Sequence, residues 1–106
     1  MRLVRQRERL PNRRSSLTFS FESNGLAYTA TASWFPDGRL AELFLNNHKS
    51  NSSADVNARD GAIAVSLALQ NGTDLETIRR AVSRDSQGRA SGPLGAALDC
   101  LAEETR

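Results

Sequence analysis

The amino-acid sequence predicts an α+β domain: a three-stranded antiparallel meander followed by three helices, with helices packed on one sheet face. Two observations carry this prediction. Apolar and polar residues alternate through the first two predicted strands, within residues 17–35, and turn sequences separate the three predicted strands. From residue 52 onward, apolar residues recur at helical spacing behind residues that cap helices. With 106 residues, the chain is long enough for one domain with one hydrophobic core.

The first two strands are predicted to form a hairpin. Residues 17–23 place apolar side chains on one face and polar side chains on the other, and residues 26–35 also alternate. Between them lies Asn24-Gly25, a dipeptide that accepts positive φ at both central positions of a type I′ turn. The alternation and the turn therefore both favour an antiparallel pair.

The third strand, residues 39–46, follows the turn sequence Pro36-Asp37-Gly38. Both of its faces carry apolar side chains. We interpret it as a strand that packs on both sides, or as one whose outer face is partly a contact surface.

A long helix is predicted to begin behind Ser52 or Ser53, since either hydroxyl can accept a bond from an unpaired N–H group. It is predicted to stop at Asn71-Gly72, because glycine suits the left-handed position after a helix. Five apolar residues indicate that this helix is mostly buried: Val56, Ile63, Val65, Leu67 and Leu69.

Two shorter helices follow. Residues 73–76 form a predicted capping box with Thr73 as its first residue, and a short helix opens there. Residues 84–92 are polar and rich in glycine, which indicates a loop. Pro93 suits the first position of a last helix, whose predicted buried stripe is Leu94, Ala97, Leu98 and Leu101.

The charge divides the chain into a basic arm, residues 1–16, and a single α+β domain, residues 17–106. The formal net charge is +2, but the first fourteen residues contain six arginines and one glutamate. The arm is interpreted either as a solvated terminus or as a weak, nonspecific contact for nucleic acid or a partner. Its candidate contact residues are Arg2, Arg5, Arg7, Arg9, Arg13 and Arg14.

Further charged candidates lie in the folded part: Glu42, and the adjacent pair Arg59-Asp60. Asp60 is expected early in the long helix, where the helix dipole favours a carboxylate, and close to the buried stripe. We therefore expect Asp60 to be a structural carboxylate that accepts hydrogen bonds from loop or strand backbone. The alternative is a recognition charge at the rim of a pocket.

Metal and cofactor chemistry is not expected. His48 is the only histidine and Cys100 the only cysteine, so the chain lacks the ligands of a structural zinc site. His48 is expected in an exposed loop, and Cys100 is expected to be buried or half-buried beside the last apolar stripe. A single cysteine suits a reducing cytoplasm. No segment approaches the roughly 20 apolar residues of a membrane span.

Four stretches carry a family resemblance: FPDGRLAELFLN, DGAIAVSLALQNGTDLETIRRAV, the linker before the last helix, and ASGPLGAALD. Together they make the span from about Leu17 to Leu101 resemble the TSCPD domain. That domain is found at the C-terminus of adenosylcobalamin-dependent ribonucleotide reductases and in small stand-alone proteins. Ala90-Ser91-Gly92-Pro93-Leu94 keeps the serine and proline of the naming motif, but Gly92 stands at the place of its cysteine. The resemblance thus implies a link to reductases. The absence of the motif's cysteine argues against a redox or zinc role.

The function favoured by the sequence is a non-catalytic binding or accessory module that resembles a stand-alone reductase C-terminal domain and acts through a protein partner. The alternative is a phage or mobile-element regulator or inhibitor that binds a nucleic-acid-processing complex through the arginine-rich arm. An enzyme is not expected, because no set of catalytic groups is recognisable. The state of the arm separates the two functions, because an arm ordered against its own body is not a phosphate arm.

Overall fold

The computed structural model describes residues 7–104. It contains three strands and three helices: β1 (Ser16–Ser23), β2 (Leu26–Trp34), β3 (Leu40–Asn47), α1 (Ser53–Gln70), α2 (Leu75–Ala81) and α3 (Pro93–Glu104). The strands form one antiparallel sheet in the order β1-β2-β3. The predicted α+β class and the strand meander are therefore confirmed.

Both strand connections have the predicted turn chemistry. Asn24 and Gly25 have φ angles of 52° and 77°, the left-handed values that a type I′ turn requires. In the second connection, Gly38 has a φ of 93° and its N–H donates to the Phe35 carbonyl at 2.9 Å. A bulge between Ser33 and Trp34 shifts the register where β2 leaves the sheet.

The core lies between one face of the sheet and the helices. α1 lies along β3, and α3 reaches β1. Leu43 and Leu45 of β3 belong to the same buried cluster as Leu98 and Leu101 of α3. These four are the largest side chains that are less than 2% exposed in the described part of the chain, so they anchor α3 to the sheet.

Polar side chains of α1 close the free edge of β3. Asp55 accepts from the Asn47 N–H at 2.9 Å. Ser66 bonds to backbone groups of Leu43, and the side-chain amide of Gln70 donates to the Ala41 carbonyl at 3.0 Å. An edge strand otherwise presents unpaired N–H and C=O groups to solvent. The helix thus replaces the strand that is missing on this side of the sheet.

This arrangement corrects the prediction that α1 is mostly buried. Val56, Ile63 and Leu67 are 42%, 49% and 42% exposed. The face toward β3 holds mainly small and polar residues, because the edge strand needs hydrogen-bond partners that apolar side chains do not supply. The buried positions of α1 are Asp55, Ala58, Ala62, Val65, Ser66, Leu69 and Gln70.

The helix ends follow local capping chemistry, with one correction. The Ser52 hydroxyl caps α1 by accepting from the Asp55 N–H at 3.1 Å, and Gly72 follows the helix with a φ of 101°. The cap of α2 is Asp74, whose carboxylate accepts from the Thr77 N–H at 2.8 Å. The predicted box, which began one residue earlier, was therefore out of register. Proline begins α3, as predicted.

Candidate binding surfaces

The outer face of α1 presents an exposed apolar stripe formed by Val56, Ile63 and Leu67. Spacings of seven and four residues place these side chains on one side of a helix. At 1.5 Å per residue, the stripe runs for roughly 16 Å along the helix axis. Asp60 and Ala64 share this face. Three of the five exposed large hydrophobic residues in the described part of the chain therefore lie on one surface.

The outer face of the sheet exposes a second apolar side chain. Phe44 of β3 is 45% exposed and stands opposite Thr31 of β2. The Thr31 and Thr18 hydroxyls share a hydrogen bond of 3.0 Å across the neighbouring strands. The exposure of Phe44 argues against a third strand that packs on both sides at this position, and the use of its outer face as a contact surface stays a prediction.

The adjacent residues Arg59 and Asp60 do not act as a pair. The Arg59 Nη1 atom lies 3.9 Å from an oxygen of Asp55, one turn earlier. Asp60 is exposed and accepts no hydrogen bond within residues 7–104. The expectation that Asp60 is a satisfied structural carboxylate is therefore wrong.

Asp55 has the role that the sequence pattern predicts for Asp60. It is 4% exposed, and its oxygens accept backbone N–H groups of Asn51 and Asn47, each at 2.9 Å. These bonds, first from Asn51 and then from Asn47, hold the pKa of Asp55 below its ordinary value. The signal available in the sequence was its position three residues after the capping Ser52, in the first turn.

The described part of the basic arm lies against the body. The Glu8 N–H donates to the Gln70 carbonyl at 2.9 Å, and the Arg7 guanidinium donates to the side-chain oxygen of Gln70. Arg39 reaches back to Glu8, with 3.0 Å between nitrogen and oxygen. Residues 7 and 8 are thus attached at the C-terminal end of α1.

The remaining arginines of the arm divide into two groups. Arg14 pairs with Glu42 at 3.3 Å, so two of the predicted contact residues contact each other. Arg9 and Arg13 are exposed and form no ion pair within residues 7–104. Arg2 and Arg5 lie outside the described residues.

A cavity of about 430 Å³ opens between the arm and the body. Its lining includes Arg7, Arg9 and Arg14 on the arm, together with Glu42 and Gln70. Three guanidinium groups meet one carboxylate here, so the charge favours an anion.

An ion-pair cluster, which sequence reasoning missed, fastens the loop before α3. Arg84 binds both oxygens of Asp99, at 2.7 and 2.8 Å, and Arg79 donates to the same carboxylate at 3.0 Å. The hydrogen bonds from Arg84 lower the pKa of Asp99 most; burial opposes them, and the bond from Arg79 lowers the pKa further. These residues are up to 20 positions apart in the chain, so no local pattern marks them.

Cys100 is exposed, which corrects the expectation of a buried or half-buried side chain. Partial burial of the thiol, and then the carboxylates of Asp99 and Glu103, raise the pKa of Cys100. His48 is exposed, as expected, and its ring nitrogen lies 2.9 Å from the Thr29 hydroxyl. Within residues 7–104, no three potential metal-ligating side chains gather in one place.

A cavity of about 500 Å³ lies where α1, the end of α2 and the start of α3 meet. Tyr28 of β2 lines it, and so do Gly92 and Pro93 from the stretch that resembles the TSCPD naming motif. No helix in the described part of the chain has the length and apolar character needed to cross a membrane.

Several similar curated proteins are reductases. A vitamin B12-dependent ribonucleotide reductase of Agrobacterium fabrum is 39% identical over 72 residues, 68% of this chain. The enzymes of the same name from Bradyrhizobium diazoefficiens and Streptantibioticus cattleyicolor are 35% identical over 70% of the chain and 41% identical over 67% of it. The chain is similar to a segment of these reductases.

The chain spans only 6%, 6% and 12% of the lengths of those three enzymes. No protein-family model matches the chain, and no solved structure matches it. The similarity therefore relates a domain-sized piece to much longer reductase chains.

Proposed function

We propose that this chain is a non-catalytic accessory module of the TSCPD type that acts by binding a protein partner. The observation that carries the proposal is the exposed apolar stripe of Val56, Ile63 and Leu67. An apolar surface of this kind typically marks a protein–protein contact when it is contiguous.

The geometry of α1 supports a contact that leaves the fold intact. Its inner face is occupied by the bonds of Asp55, Ser66 and Gln70 to β3. A partner can bury the outer stripe without displacing any of these bonds. Asp60, which is exposed in the same face, then supplies a charge that selects a partner with a basic group opposite it.

The partner we propose is a ribonucleotide reductase polypeptide. In the three relatives described above, the similar segment occupies a small share of a long reductase chain. A domain within a reductase polypeptide has the rest of that polypeptide as its immediate neighbour. We propose that the outer face of α1 makes the corresponding contact here.

The test measures binding of the purified protein to a vitamin B12-dependent ribonucleotide reductase by calorimetry. The double variant Ile63→Asp, Leu67→Asp is expected to weaken binding at least about tenfold, since charges then replace an apolar contact. The matched control is Leu26→Asp, because Leu26 is 46% exposed and lies at the hairpin on β2.

The control variant is expected to bind like the unmodified protein, and circular dichroism checks that every variant is folded. Equal losses for the two variants would show that the stripe has no special part in binding. Absence of binding by the unmodified protein would contradict the choice of partner.

The second candidate is a regulator of a nucleic-acid-processing complex, and the exposed guanidinium groups of Arg9 and Arg13 are the observation that favours it. Arg9 and Arg13 are the described arm residues available for phosphate. Arg7 and Arg14 are engaged with Gln70 and Glu42, so their contact with phosphate requires breaking those bonds.

A further inference from the structure

The cavity of about 500 Å³ beside α3 is walled by small and apolar residues. α1 contributes a surface without bulky side chains, and the end of α2 and the first turn of α3 close the other sides. Its apolar wall includes Ala58, Val82, Pro93 and Leu94, and two polar residues, Asn57 and Ser83, also line it. The volume lies in the range that small-molecule sites occupy.

A buried tyrosine that lines this cavity carries a hydroxyl without a protein partner. Tyr28 is only 3% exposed, and its ring stacks on Phe21 with 5.6 Å between centroids. Its hydroxyl forms no hydrogen bond within residues 7–104. Every fully buried side-chain oxygen or nitrogen in the described chain does have a partner. The Tyr28 hydroxyl therefore keeps some accessible surface, and Tyr28 is one of the residues that line this cavity.

The first turn of α3 supplies further donors to the same cavity. The first N–H groups of a helix have no acceptor within the helix. Gly92, directly before the helix, has no side chain to cap them, and Pro93 has no N–H. The N–H groups of Leu94 and Gly95 are therefore left for a ligand, and both residues line the cavity. The positive end of the dipole of a 12-residue helix lies at this point.

We propose that this cavity binds a small molecule with a compact apolar body and one carboxylate or phosphate group. The oxyanion accepts from the Leu94 and Gly95 N–H groups and from the Tyr28 hydroxyl, while the apolar body packs against the alanine and valine side chains. None of the described lining residues is charged. A helix terminus equivalent to about half a charge suits a singly charged group better than a polyphosphate.

The site is separate from the partner surface proposed above, because none of the three stripe residues lines the cavity. The two proposals can therefore fail independently.

The experiment is an NMR titration of the ¹⁵N-labelled protein with benzoate and with phenyl phosphate, which distinguish the two oxyanions. Benzamide is the neutral control, and inorganic phosphate tests the anion without an apolar body. At least one aromatic anion is expected to shift the amide signals of Gly92, Leu94 and Gly95 saturably. Benzamide is expected to bind about tenfold more weakly or not at all.

Two variants locate the binding. Tyr28→Phe removes one oxygen and keeps the ring, so affinity is expected to fall about fivefold through the loss of one hydrogen bond. Gly92→Leu fills the cavity and is expected to abolish binding. A Cβ at Gly92 meets no atom within 4 Å, and the backbone there needs no glycine. Ser91→Leu is the matched control, since Ser91 does not line the cavity and is expected to leave binding unchanged.

Absence of saturable shifts with both aromatic anions would overturn the proposal. So would full affinity in Tyr28→Phe, or equal losses in Gly92→Leu and Ser91→Leu. If Gly92→Leu does not fold, Tyr28→Phe decides the question.

Discussion

The Ser66 hydroxyl binds both backbone groups of Leu43. Its oxygen accepts from the Leu43 N–H at 2.8 Å, and its O–H donates to the Leu43 carbonyl at 2.9 Å. All three groups are buried. One hydroxyl thus completes the hydrogen bonding of an edge-strand residue from the side of a helix, which makes Ser66 a determinant of stability.

Ser66→Ala is expected to lower the free energy of unfolding by about 1–3 kcal/mol, because two buried backbone groups lose their partner. Urea unfolding followed by circular dichroism measures the change. The matched control is Ser53→Ala, an exposed serine at the start of the same helix, expected to change stability by no more than about 0.5 kcal/mol. Similar values for both variants would show that the bonds to Leu43 contribute little.

Asp55→Asn is expected to lower Tm more than Asp60→Asn does, because only Asp55 accepts buried backbone N–H groups. The sign of the pH dependence follows from its lowered pKa. The stabilising contribution of the ionised carboxylate is present above the unfolded-state pKa of about 3.9. It is lost as the pH falls through the lower folded-state pKa.

Thermal melts of the unmodified protein, Asp55→Asn and Asp60→Asn between pH 6 and the acid limit of folding check this prediction. The difference between Asp55→Asn and the unmodified protein is expected to shrink toward low pH. A larger effect of Asp60→Asn at neutral pH would restore the original assignment of the structural carboxylate.

Gly61→Ala and Gly95→Ala are expected to change stability in opposite directions. In the interior of α1, alanine is favoured over glycine by about 0.8–1 kcal/mol, and a Cβ at Gly61 lies an ordinary 3.6 Å from the Leu94 side chain. A Cβ at Gly95 would lie 2.9 Å from the Ala90 Cβ, so Gly95→Ala forces α3 away from the preceding loop.

Chemical denaturation of both variants tests this pair. A destabilised Gly61→Ala would indicate that α1 and α3 approach more closely than the structure shows. An unchanged stability of Gly95→Ala would show that the loop before α3 can move at little cost in free energy.

The arm is expected to bind DNA only weakly and without sequence preference. Each arginine–phosphate contact contributes about 0.9 to the slope of log affinity against log salt concentration. Arg9→Ala with Arg13→Ala is therefore expected to reduce that slope and leave Tm unchanged. Arg7→Ala with Arg14→Ala is expected to lower Tm, because these residues bind Gln70 and Glu42.

Fluorescence anisotropy across a salt series measures the slope, and thermal melts measure stability. Tight, sequence-selective binding that survives both double variants would contradict this division of the arm.

The features that were predicted correctly are those set by a few neighbouring residues. Asn24-Gly25 and Gly38 determine turns through their own φ angles, and Ser52 and Pro93 begin helices through local hydrogen bonding and ring geometry. Such chemistry acts within one turn of chain, so it is visible in the sequence before the fold is known.

The orientation of α1 depends on a fact that no local pattern contains: its neighbour β3 is an edge strand with unpaired backbone groups. Because these backbone groups require hydrogen-bond partners, Asp55, Ser66 and Gln70 are buried and Ile63 faces outward. A rule that places apolar residues inside therefore selects the wrong face.

The contacts of the candidate site residues also depend on the fold and were not predicted. Arg59 and Asp60 are adjacent in sequence, but successive helical positions point about 100° apart, so they do not face each other. The Arg84–Asp99 pair and the Arg14–Glu42 pair join residues 15 and 28 positions apart, respectively. The fold creates these contacts, and composition does not reveal them.

Gln70 joins three segments: its side chain binds Ala41 at the sheet edge and Arg7 in the arm, and its carbonyl accepts the Glu8 N–H. Detachment of the arm and opening of the sheet edge are thus linked equilibria. A ligand that detaches the arm from the body must supply the free energy of these bonds, so its apparent binding free energy is weaker by that amount. By thermodynamic reciprocity, a contact that stabilises the edge of β3 weakens the binding of such a ligand to the arm.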